Sequence, residues 1–251
     1  MTDQKQARNA TVAVVGAGDY IGAAIAKRFA IEGYAIFAGR RTADKLVPLQ
    51  QAIEAHGGVC VARGMDARKE EDVAAFLAAA EAHAPLEAVI FNIGGNVNFP
   101  LLETTERVFR KVWEMACYSG FLTGREAARL MLPRGKGSIF FTGATASLRG
   151  GSGYAAFASA KAGLRMAAQS MARELGPKGI HVAHLVIDAG VDTAFVRERI
   201  RARGGDAAVD ALPSDALMDP ASVAEAYWYM HNQARDAWTF ELDLRPFAET
   251  W

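Results

Sequence analysis

Cysteine is nearly missing from this chain. Its two thiols, Cys60 and Cys117, stand far apart with no second thiol near either. That excludes a disulfide framework and a thiolate zinc site, and it predicts inert thiols in a reducing, cytoplasmic setting. Charge of one sign is equally scarce, because 28 Lys and Arg offset 28 Asp and Glu. No field therefore draws the protein onto nucleic acid or an anionic membrane surface. No hydrophobic run approaches the roughly 20 apolar residues of a membrane span, and the opening residues, MTDQKQARNA, hold no apolar core segment. No Pro- or Gly-rich linker, low-complexity tract or fixed-period repeat divides the chain. What remains is a globular chain of 251 residues, 51% hydrophobic, with material for a substantial core.

β-Branched and aromatic runs alternate with alanine-rich stretches at helical spacing. The runs at 11–15, 34–39, 58–65, 87–92, 137–143, 180–187 and 238–244 read as strands. Continuous apolar strands separated by helical patterns predict a doubly wound α/β domain over 1–251, its parallel sheet covered by helices on both faces. One interruption stands out. Residues 188–219 form a polar, Arg-rich insertion between two strands, the length of a lid.

The segment VVGAGDYIGAAIAKRFA runs from the first strand into a helix through Gly16, Gly18 and Gly22. A dinucleotide pyrophosphate needs such a side-chain-free turn, so that backbone N–H groups and the positive helix end can approach it. The second strand ends in Arg40 and Arg41 instead of the acid that holds ribose hydroxyls. Guanidinium forks match phosphate geometry, so a 2′-phosphate is favoured there and NADP is expected, with NAD possible. Asp66, after the third strand, could reach an adenine amino group or cap the next helix.

With that turn, FNIGG at 91–95 and ASAKAG at 158–163 in place, the chain resembles the short-chain dehydrogenase/reductase family over nearly its whole length. The resemblance implies a seven-stranded Rossmann sheet, a nicotinamide dinucleotide, assembly into homodimers or homotetramers through two long helices, and an Asn-Ser-Tyr-Lys catalytic set. It implies cofactor contacts from Gly16, Gly18, Tyr20, Ile21, Gly22, Asn92, Lys161 and Thr193, with Tyr20 standing at the family's central glycine position. Carried over position by position, the catalytic set mostly fails. The Tyr four before the lysine is Phe157, the Ser falls on Ala144, the Asn falls on Cys117, and only Lys161 survives.

Reduction of a carbonyl leaves an alkoxide that must take a proton from a donor within hydrogen-bond reach. Phe157 and Ala144 carry none. Tyr154, three before Phe157 and seven before Lys161, lies at helical spacing with both and could turn its phenol to the cleft, or contact a neighbouring loop. Asp188 follows the carboxyl end of a central strand, where open α/β sheets bind ligands, and could act on substrate or cap the next helix. Ser147, Ser152 and Tyr118 are weaker candidates. His181 and His184 are three apart on a strand, on opposite faces, and cannot converge on one metal ion. The arginines of 197–205 could meet an anionic substrate or simply solvate a helix face, and the aromatic C-terminal segment could pack within the subunit or at a subunit contact. Two functions are expected: an oxidoreductase acting on a small carbonyl or alcohol with Tyr154 or Asp188 as proton donor, or a silent dinucleotide-binding protein.

Overall fold

A computed structural model describes residues 6–249. Seven strands form one parallel sheet: β1 Thr11–Val15, β2 Ala35–Arg40, β3 Cys60–Gly64, β4 Leu86–Phe91, β5 Gly137–Thr142, β6 Ile180–Ile187 and β7 Glu241–Leu244. Their order across the sheet is β3-β2-β1-β4-β5-β6-β7. In register, Val14 of β1 lies between Ala38 and Ile90. The order reverses at β1, so β1 and β4 diverge in their connections and leave a crevice at their carboxyl ends.

Eight α-helices are described: α1 Ile21–Ile31, α2 Val47–Glu54, α3 Glu70–His83, α4 Glu106–Trp113, α5 Ser119–Met131, α6 Ala155–Leu175, α7 Ala194–Asp210 and α8 Pro220–His231. They cover both faces, which explains why β1 is buried at every position. Val12 and Val14 face a core built with Ile25 and Phe29 of α1, Leu49 of α2, and Val223 and Tyr227 of α8. Ala13 and Val15 face the other core, with Phe76 of α3, Leu122 of α5 and Leu164 of α6. Alternation along a strand thus feeds both layers.

Three strands are shorter than their apolar runs, β5 by the single residue Gly143. The run at 58–65 yields Cys60–Gly64, and that at 238–244 yields Glu241–Leu244. Before β7, Trp238 stacks on His181 with ring centroids 4.9 Å apart, and the Thr239 N–H donates to the Gln233 side chain instead of a strand. Across 188–219 the chain forms α7 and its flanking loops. Val191 and Met218 bridge the base of this excursion, and α7 buries none of its residues.

Candidate functional site

The carboxyl ends of β1, β4, β5 and β6 open into a cleft of about 650 Å³. At its centre Gly16 adopts φ +93, and a Cβ there would come within 2.8 Å of the Asn92 carbonyl oxygen, so only glycine fits. A Cβ on Gly22 would lie 2.5 Å from the Gly16 carbonyl oxygen; its absence lets α1 start hard against the turn. Gly18 differs from both, since a Cβ there would meet nothing within 4 Å. No protein atom requires that glycine, and the space it leaves belongs to the cleft, as a backbone cradle for a phosphate requires.

Side chains fix this turn from behind. Asn92 Nδ2 donates to the Gly16 carbonyl at 3.1 Å, and its Oδ1 accepts from Thr142 Oγ1 at 3.0 Å. Thr142 Oγ1 also lies 2.7 Å from the Tyr227 phenol. A hydroxyl has one proton, so Tyr227 donates to Thr142 and Thr142 to Asn92. The chain of bonds ties α8, β5 and β4 to the glycine turn.

A second lobe of about 320 Å³ shares Gly16, Gly18 and Asn92 with the main cleft and is lined by Arg40, Arg41, Asp66 and Arg68. Arg40 donates to Asp19 at 2.8 Å, while Arg41 is exposed. Asp66 does not cap α3, whose N-cap position is Lys69. It instead grips Arg68 through both carboxylate oxygens and accepts from the Arg68 N–H, and Arg68 holds the carboxyl below its ordinary range. The two lobes meeting at an amide-lined turn have the outline of a dinucleotide.

In the main lobe, Lys161 is buried, with its Nζ donating to the Thr142 carbonyl at 2.8 Å and the Ile93 carbonyl at 3.1 Å. An ammonium has three donors, so one remains for the cleft that Lys161 lines. Burial pulls its pKa down to about 8, against a smaller opposing influence of the nearby Cys117 thiol. Cys117 lies on a π-helical turn, Glu114–Tyr118, and its own pKa is raised by burial. Phe157 and Ala144 both line the cleft beside Lys161. Phe157 is packed with Val112, Ala116, Ala156 and Ala160, so its ring is part of a small apolar cluster.

Tyr154 lines the same lobe, but it sits at the N-cap position of α6 rather than within the helix, with its ring centroid 6.4 Å from that of Phe157. Its phenolic oxygen accepts a hydrogen bond from Arg199 Nη2 at 2.8 Å. Its ring lines the cleft while its hydroxyl meets helix α7 rather than a neighbouring loop. Asp188 is placed otherwise. Its carboxylate is buried between Arg149 at 3.2 Å and Arg245 at 3.4 Å, and its neighbours Ile187 and Ala189 line the cleft in its stead. It does not cap α7 either: Thr193 does, accepting from the Val196 N–H at 3.1 Å while lining the cleft.

Tyr20 does not plug the glycine turn. Its ring spans the rim, and its phenolic oxygen accepts from the Ala194 N–H at 3.0 Å, linking the turn to α7 beside lining residues Ile21 and Thr193. Ser147 is buried and bonded to the Ala144 backbone. Ser152 and Tyr118 are not among the cleft-lining residues. His184 Nδ1 lies 3.1 Å from Glu241, and burial lowers its pKa to about 4. Among the described residues no group of three or more His, Cys, Asp and Glu could hold a metal ion, and no helix is long and apolar enough to cross a membrane. Sequence reading missed Asn96, Thr145 and Arg149 in the lining, and Thr142 and Tyr227 behind the turn.

Comparison with known proteins agrees with this geometry. The family model described as short chain dehydrogenase matches residues 10–204. A short-chain dehydrogenase of Rhodopseudomonas palustris, of solved structure, is 62% identical, covers 96% of this chain and 100% of its own, and superposes with a TM-score of 0.82. The 3-oxoacyl-(acyl-carrier-protein) reductase MabA of Mycobacterium bovis is 30% identical over 217 residues, 85% of this chain and 82% of that protein. An alcohol dehydrogenase from the archaeon Thermococcus sibiricus, solved with 5-hydroxy-NADP, is 25% identical, with a TM-score of 0.81 and coverage of 96% and 98%.

Proposed function

The chain belongs to the short-chain dehydrogenase family, and from that premise we propose that it is an NADP-preferring oxidoreductase acting on a small carbonyl or alcohol, with Tyr154 as its proton donor. The observation that carries the reading is the two-lobed cleft: Gly18 opens onto it, Arg40 and Arg41 stand at one end, and the spare Lys161 donor stands at the other. The relative from Thermococcus sibiricus, solved with 5-hydroxy-NADP, supports the choice of cofactor.

Bound there, a reduced nicotinamide supplies a hydride to the carbonyl carbon, and the carbonyl oxygen gains a proton. The N–H groups of Tyr20, Ile21 and Gly22 would receive the diphosphate, Gly16 and Gly18, whose own N–H groups are spent on the Gly39 and Gly16 carbonyls, would leave room for it, and Thr193 would close the other side. Arg40 and Arg41 would take the 2′-phosphate, Asp66 would meet the adenine, and Asn92 holds the turn. Lys161 would donate its remaining proton to the ribose hydroxyls. Arg199 has no lone pair to offer, so it fixes the Tyr154 oxygen as acceptor and leaves the phenol proton free for the alkoxide. Thr145, whose hydroxyl makes no hydrogen bond among the described residues, lines the cleft next to Ala144 and is placed to steady the substrate oxygen. Asp188 serves the architecture: a carboxylate between two guanidiniums cannot be spared.

The pairing of Phe157 with Ala144 favours a second reading, a silent cofactor-binding protein. A carbonyl panel assayed with NADPH separates the two. Tyr154→Phe is expected to lower kcat by about 10²–10⁴ while leaving NADPH binding intact. Turnover confined to the double replacement Phe157→Tyr/Ala144→Ser supports the silent reading, and absence of NADPH and NADH binding defeats both.

Exposed Phe109, Trp113 and Phe121 on α4 and α5 suit assembly into a homodimer or homotetramer. Two buried free thiols suit the cytoplasm.

A further inference from the structure

Resting on the reading of the main lobe as the carbonyl site, we propose that the substrate carries a carboxylate, which Arg199 receives beside Tyr154. Four arginines lie on α7. Arg197 is exposed and paired with Asp192 at 2.6 Å; Arg201 is exposed and paired with Glu198 and with Asp206, the latter at 2.7 Å; Arg203 is exposed. Arg199 alone is turned inward and half-buried, and it has no carboxylate partner among the described residues. Its one hydrogen-bond acceptor is the Tyr154 phenol, and its guanidinium carbon lies 5.7 Å from the Phe195 ring centroid.

A charge drawn from water costs free energy unless an opposite charge meets it. A neutral phenol oxygen satisfies one N–H of the fork and none of its charge. Among the four arginines of α7 this one alone is half-buried, and the cleft that Tyr154 lines is where a partner for its charge can enter.

The balance of charge in the cleft points the same way. The only carboxylate among the lining residues is Asp19, at the glycine turn, and it is paired with Arg40. Around Phe157 and Tyr154 the lining polar side chains are Asn96, Thr145, Arg149 and Lys161, with the Arg149 charge met by Asp188. Lys161 meets only carbonyls, and just behind Tyr154, outside the lining itself, Arg199 is a second cation with no carboxylate partner among the described residues. One guanidinium offers one positive charge and a planar fork of two donors, which the single charge and two oxygens of a carboxylate match. Arg199 bonds the far end of the Tyr154 ring, so the carboxylate and the reacting carbonyl belong on different carbons of a short chain.

The test uses the protein already saturated with NADPH, as judged by nucleotide fluorescence. 4-Oxopentanoate, 5-oxohexanoate and 7-oxooctanoate are titrated calorimetrically, each against its own methyl ester. At least one acid is expected to bind about tenfold or more tightly than its ester. Arg199→Gln should erase that preference, and Arg203→Gln, exposed one turn further along the same helix, should retain it. NADPH affinity and melting temperature of both variants should match the wild type. Equal binding of acids and esters, no binding of any of the acids, or a preference that survives Arg199→Gln overturns the proposal. Each of these is read with NADPH bound, so failure of the carboxylate site is distinguishable from failure of the cofactor reading.

Discussion

Lys161 shows how far one buried cation can shape a site. Its pKa is pulled from an ordinary 10.5 to about 8 by burial, and two of its donors are spent on the Thr142 and Ile93 carbonyls. Above pH 8 the neutral amine keeps two protons for those carbonyls and turns a lone pair to the cleft. NADPH affinity is therefore expected to fall roughly tenfold as pH rises through about 8, the scale of a hydrogen bond to a charged group. Titration of nucleotide fluorescence against pH checks this, and Lys161→Met should flatten the profile. Stability should move the other way. Between about 8 and 10.5 the unfolded chain binds more protons than the folded one, so this residue's contribution to stability rises with pH there and is lost as pH falls through about 8. Lys161 and the three glycines were legible in the sequence because their pattern is local. Thr142 and Tyr227 were not, because each gains its role from a partner brought by the fold, Asn92 and Thr142 respectively, and Arg199 was legible only as one of the arginines of 197–205, singled out by its bond to Tyr154.

Among the elements, the glycine turn and the end of β2 carry the cofactor reading, and each has its own signature. Gly22→Ala forces a Cβ against the Gly16 carbonyl and pushes α1 away from the turn. It should weaken NADPH and NADH alike, by tenfold or more in a binding titration. Arg40→Ser with Arg41→Ser removes the guanidiniums from the second lobe only. It should weaken NADPH by about 1–3 kcal/mol, the worth of charged hydrogen bonds, and leave NADH nearly unchanged. Equal losses for the two nucleotides would remove the case for a 2′-phosphate. The strands were readable because β-branched and aromatic runs survive burial on both faces. β7 was overextended because the aromatic Trp238 belongs to a stack on His181, and apolar character alone does not tell a strand from a ring packed ahead of one. Asp66 and Asp188 looked like caps at their helix starts, yet Lys69 and Thr193 hold those positions, since the intervening loops set where each helix begins.

For the molecule as a whole, the doubly wound layering was legible from alternation alone, whereas the strand order and the meeting of two lobes at one turn depend on crossovers that no local pattern specifies. Assembly belongs to this scale as well. If α4 and α5 form the subunit contact, Trp113→Asp with Phe121→Asp should convert the sedimentation profile to a monomer, with NADPH binding retained because neither residue lines the cleft. A profile unchanged by the substitutions would place the contact elsewhere.

The strand order also governs how the protein must be made. β1 pairs with β2 soon after both leave the ribosome, but its other edge waits for β4, because Val14 meets Ile90 only after three full crossovers have been synthesised. Until then the nascent chain carries a bare, apolar strand edge that any neighbouring polypeptide can cap. Its need for chaperone protection is therefore concentrated early in translation, well before the last cleft residues have been added.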